Sequence, residues 1–136
     1  MRIVLAVGCW DLLHLGHIYH LEAASRMGRL FVGVTRDAHV NKGPGRPVFN
    51  QNERLHCLRA IRCVRQAFLC NSSLDALTFL GPDIFVLGCE YHNKVRAEDR
   101  LYCEAQDIEI AFTDEQTYSS TELLHFYDRL RENQTA

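Results

Sequence analysis

Short apolar runs alternate with stretches of helical period along almost the whole chain. Residues 3–7, 30–34, 67–69, 84–87 and 108–112 form runs of strand length, and helical spacing occupies 16–27, 51–63, 74–80, 95–106 and 121–131. The runs are apolar at consecutive positions rather than at every second one, as expected of strands buried on both faces. The alternation therefore predicts an α/β fold, a three-layer sandwich in which helices cover both faces of a five-stranded parallel sheet. Two helix starts carry capping signatures, Asn50 with Glu53 and Ser119 with Glu122. The segment Lys42-Gly43-Pro44-Gly45-Arg46-Pro47 can continue neither regular structure and reads as a loop bearing two cations.

Ligands of open parallel sheets sit beyond the carboxyl ends of the strands. On the predicted sheet that rim gathers residues 8–17, 36–46, 88–92 and 113–121, which hold the unusual polar clusters of the chain.

Composition narrows the partners. A length of 136 residues with 47% hydrophobic content suits one domain over 1–136, with a frayed tail at 132–136. A formal charge of -2 offers no basic excess for displacing counterions from nucleic acid. No apolar run reaches membrane-spanning length, and the first residues are strand-like rather than a charged and then apolar leader. The expected protein is soluble and cytoplasmic, with neither nucleic acid nor membrane as partner. Six cysteines occur without a CxxC pair and are expected as reduced, packed thiols.

The strongest chemical signal is Gly8-Cys9-Trp10-Asp11-Leu12-Leu13-His14-Leu15-Gly16-His17, directly after the first apolar run. His14 and His17 are spaced to share one helix face, Gly16 between them lets a ligand approach the backbone, and amides at a helix start attract anions. Such a site suits a phosphate whose charge grows during reaction. Two histidines alone are more commonly half-buried structural residues, but the glycines and the preceding strand reverse that weighting. His14, His17 and His20 step around the helix axis with no thiolate or carboxylate beside them, so no metal ligand is assigned.

This junction, with Tyr118-Ser119-Ser120-Thr121 near the C-terminus, resembles the two signature motifs of the HxGH nucleotidyltransferases, the cytidylyltransferase-like superfamily. The resemblance continues through 32–37, Lys42, 45–48, 53–55 and 82–88. It implies a Rossmann-like sandwich and a reaction in which a phosphorylated small molecule attacks the α-phosphorus of a nucleoside triphosphate and pyrophosphate leaves. Mg2+ would be carried by the nucleotide, and homodimers are common in the family. The resemblance makes His14, His17 and Lys42 catalytic. It assigns Gly8, Cys9, Trp10, Asp11, Gly16, Glu90, Tyr118, Ser119, Ser120 and Thr121 to the nucleotide, and Lys42, Arg46 and Arg54 to the second substrate. Each has a plainer counterpart: solvated loop cations, a helix-surface arginine, caps and core aromatics.

Two subfamilies compete. Glycerol-3-phosphate cytidylyltransferases are similar over 8–17, yet their second motif begins with an arginine, where this chain has Asp114-Glu115-Gln116-Thr117. The adenylyltransferase domain of bacterial ADP-heptose synthases also lacks that arginine and is similar at 45–48 and 82–91. The resemblance therefore implies an ATP-using enzyme acting on a phosphorylated sugar or polyol. CTP:glycerol-3-phosphate cytidylyl transfer is the alternative, and an inactive nucleotide-binding regulatory module is the reading from another class.

Overall fold

A computed structural model describes residues 1–114 and 128–133. The expected motif at 118–121, the Ser119 cap and most of the expected last helix lie outside the described residues. Strands β1 (Ile3–Gly8), β2 (Arg29–Thr35), β3 (Gln66–Cys70), β4 (Ile84–Gly88) and β5 (Glu109–Thr113) form one sheet in the order β3-β2-β1-β4-β5. Every pairing is parallel, as the doubly apolar runs predict. Helices α1 (Leu15–Ser25), α2 (Gln51–Arg59), α3 (Ser73–Leu80) and α4 (Ala97–Ala105) join successive strands.

The central strand explains the three layers. Val4 and Ala6 pack with Leu21, Ala24 and Leu58 from α1 and α2, while Leu5 between them packs with Ala76, Leu77 and Cys103 from α3 and α4. Alternate residues of one strand thus feed two cores, and each fully buried leucine contributes about 1.5–3 kcal/mol. The strand order reverses between β1 and β4, where α1 departs to one face and α3 and α4 lie on the other. That switch point opens a crevice at the strands' carboxyl ends.

The Asn50–Glu53 capping box forms as expected, with bonds of 2.9 and 3.1 Å. Helix α2 ends at Arg59 rather than at 63, because the Ala60 N–H is shared between the His56 and Cys57 carbonyls at 3.2 Å each. The tightened turn redirects the chain so that the Arg65 N–H reaches the Leu30 carbonyl at 2.8 Å and starts β3. All six thiols are free; Cys70 and Cys103 are buried, whereas Cys57 and Cys89 are exposed. Burial, with Asp75 nearby, pushes the Cys70 thiol up to about 11. Among the described residues, no helix is long and apolar enough to cross a membrane.

Candidate active site

The β1–α1 turn is strained and heavily tied. Trp10 and Leu12 hold φ of 58° and 51°, a left-handed conformation that costs a non-glycine residue about 1–2 kcal/mol. Trp10 is fixed by its indole N–H, which donates to the Gly33 carbonyl on β2 at 2.9 Å. A Cβ on Gly8 would stand 3.1 Å from the indole Cε2, so glycine there makes room for Trp10. Asp11 is buried and accepts from the Val48 and Phe49 amides and Arg46 Nε at 2.7, 3.1 and 3.1 Å. Burial raises the Asp11 carboxyl, but these bonds outweigh it and hold the group below its ordinary value.

Arg54 completes the clamp from α2. Its guanidinium donates to the Phe49 carbonyl at 2.9 Å, the Cys9 carbonyl at 2.7 Å and Asp37 Oδ1 at 2.7 Å. At 1% exposure, Arg54 is a buried strut between the first turn and the loop before α2, not a surface residue.

His14 is the N-cap of α1, and its partner in the capping box is His17. The Gly16 N–H donates to His14 Nδ1 and the His14 N–H donates to His17 Nδ1, both at 3.1 Å. A ring nitrogen that accepts carries no proton, so each neutral imidazole holds its hydrogen on Nε2. The rings lie 3.9 Å apart. Burial, then the positive potential of His14, Lys42 and His20, pushes His17 down to about 4. The Trp10 indole meets His17 edge-on at 5.7 Å and stacks on His20 at 6.1 Å. His20 in turn shares a 2.7 Å hydrogen bond with Thr113 Oγ1 at the end of β5. Burial lowers the His20 pKa, with Glu90 opposing.

These groups border a cleft of about 660 Å³ whose lining includes Cys9, Trp10, His17, His20, Lys42 and Glu90. The Glu90 carboxylate folds back over the end of β4, where a Cβ on Gly88 would come within 2.5 Å of its Oε2. The wall near Lys42 is built of donors, suited to phosphate oxygens. Among the described residues, no three His, Cys, Asp or Glu side chains are grouped to hold a metal ion.

A family model described as cytidylyltransferase-like matches residues 5–126. The chain belongs to the cytidylyltransferase-like family. It is 40% identical over 95 residues to Bifunctional protein HldE of Trichlorobacter lovleyi, covering 66% of this chain and 19% of that protein. Against Bifunctional protein HldE of Campylobacter jejuni strain RM1221 the identity is 34% over 128 residues, 90% of this chain and 27% of that protein. The chain thus spans about a fifth to a quarter of these relatives' length. A lipopolysaccharide core biosynthesis protein from Thermoplasma volcanium superposes with a TM-score of 0.71 at 29% identity, covering 88% of this chain and 99% of that one.

Within this cytidylyltransferase-like domain, the structure brings Cys9, Trp10, His17, Lys42 and Glu90 to one cleft. His14 lies against His17, and the Gly16 amide expected to be open to an anion is bonded to His14 instead. Asp11, Arg46 and Arg54 do not line the cleft; Asp11 and Arg54 anchor the loops that do. His20, which the sequence suggests only as a remote metal candidate, is part of the wall, and its spacing three residues after His17 is the signal for it.

Proposed function

We propose that this chain is a cytoplasmic nucleotidyltransferase that moves AMP from ATP to a phosphorylated sugar or polyol, releasing pyrophosphate. An oxygen of the acceptor's phosphate attacks the α-phosphorus; that P–O bond forms as the bond to the bridging oxygen breaks, and pyrophosphate departs with the electron pair. His14 and His17, held as neutral Nε2–H donors, hydrogen-bond the α-phosphate oxygens as charge builds on them. Lys42 offsets the negative charge of the two phosphorylated reactants as they are brought together. The nucleotide enters as its magnesium complex, so the metal belongs to the substrate.

The reciprocal capping of His14 and His17 carries this reading, because it fixes two donors at the switch point of the sheet. ATP is favoured over CTP by the similarity to Bifunctional protein HldE and by Asp114-Glu115-Gln116-Thr117 standing where an arginine would begin a cytidylyltransferase motif. The test is pyrophosphate release with ATP or CTP, magnesium, and a panel of sugar 1-phosphates and polyol phosphates. Turnover with ATP and one acceptor class supports the proposal; inactivity across the panel, with nucleotide still bound, favours a regulatory module.

A further inference from the structure

The cleft has a second end, away from the histidines in sequence and different in chemistry. Ser72 and Ser73 at the start of α3 line it together with Asp99 of α4. Asp99 is 3% exposed. Its Oδ2 accepts the Ser73 hydroxyl at 2.5 Å, the length of a charge-assisted O–H···O bond. Its Oδ1 is buried and has no hydrogen-bond partner among the described residues. Arg96, the nearest cation in the chain, is 68% exposed and leans to Glu98 at 3.8 Å.

Native proteins rarely leave a buried carboxylate oxygen unbonded, because its desolvation is not repaid. An ionised carboxylate only accepts hydrogen bonds and repels phosphate, so the missing partner must bring a donor. We propose that Asp99 Oδ1, braced by Ser73, forms a subsite that reads a sugar or polyol hydroxyl of a substrate bound in the cleft. The source of that hydroxyl rests on the proposed function. A sugar phosphate has an anionic end and a neutral hydroxylated body, and the cleft offers Lys42 to the first and Asp99 to the second. The nucleotide's ribose is the other source of the same chemistry. Burial also raises the Asp99 carboxyl above its ordinary value, with Ser73 and Arg96 opposing, which marks a group held in place against its own solvation.

The test is titration calorimetry on the wild type and on Asp99→Asn, which keeps the shape and an oxygen for Ser73. The probes are ATP, 2′-deoxy- and 3′-deoxy-ATP, inorganic phosphate, α-D-mannose 1-phosphate, its monodeoxy analogues and glycerol 3-phosphate. The expected result is about a tenfold or greater loss of sugar-phosphate affinity in Asp99→Asn. One monodeoxy analogue binds the wild type equally weakly and loses nothing further, while ATP and inorganic phosphate stay within about twofold. The melting temperature of Asp99→Asn stays level or rises. A loss confined to ATP, and abolished for one deoxy-ATP, supports the subsite with ribose as its ligand. The proposal is overturned if no hydroxylated probe distinguishes the two proteins, or if inorganic phosphate suffers equally. The deoxy comparison on the wild type stands even where the variant does not fold. Calorimetry needs no turnover, so failure of the subsite is distinct from failure to release pyrophosphate.

Discussion

The His14 backbone N–H donates to His17 Nδ1 at 3.1 Å, so the residue that caps α1 also sets the tautomer of its neighbour. Burial and the adjacent cations then push His17 to about 4 from its ordinary 6.5. Nitrogen NMR at pH 6 is expected to find His17 neutral and protonated on Nε2. Because the folded-state value lies below the unfolded one, the unfolded chain takes up this proton first. Stability is therefore intact above 6.5 and declines as pH falls toward 4, by up to about 3 kcal/mol from this residue. Denaturant unfolding at pH 7 and pH 4.5 measures the slope, which His17→Gln flattens.

Capping and chemistry separate by substitution. Asparagine is as good an N-cap as any residue, so His14→Asn keeps α1 within about 1 kcal/mol while removing the Nε2–H donor. Turnover of His14→Asn and His17→Ala falls about 10²–10³-fold, with ATP affinity nearly unchanged. Steady-state kinetics beside calorimetry checks both halves; a His14→Asn enzyme of normal turnover removes His14 from the reaction.

Lys42 lowers the His17 pKa and lines the cleft. Lys42→Met is expected to raise the His17 pKa and to lower kcat/KM. The same NMR titration, repeated on the variant, reads the first effect without substrate.

Arg54 is buried with three acceptors on its fork. Arg54→Met strands the Cys9 and Phe49 carbonyls and is expected to cost about 3–5 kcal/mol. Arg54→Lys recovers little, since an ammonium cannot span the three acceptors. Chemical denaturation gives the loss directly.

The sheet was legible because buried parallel strands leave runs of consecutive apolar residues, as at Val4-Leu5-Ala6 and Ile84-Phe85-Val86. The His14–Gly16–His17 junction was legible because helix geometry makes three-residue spacing a contact. What stayed hidden depends on residues distant in the chain. Arg54 reaches back to Cys9 and Asp11 reaches forward to Val48, so neither looks like a strut from its own neighbours. Asp99 meets Ser73 across two helices, and no local pattern announces that pair.

Attack at the α-phosphorus is the central claim, and the fate of an α-phosphorus label tests it most directly. With [α-32P]ATP, magnesium and the acceptor panel, the account predicts label in the nucleotide–sugar or nucleotide–polyol product and unlabelled pyrophosphate in equal amount. Label remaining in ADP, with inorganic phosphate or a doubly phosphorylated acceptor formed, would contradict it.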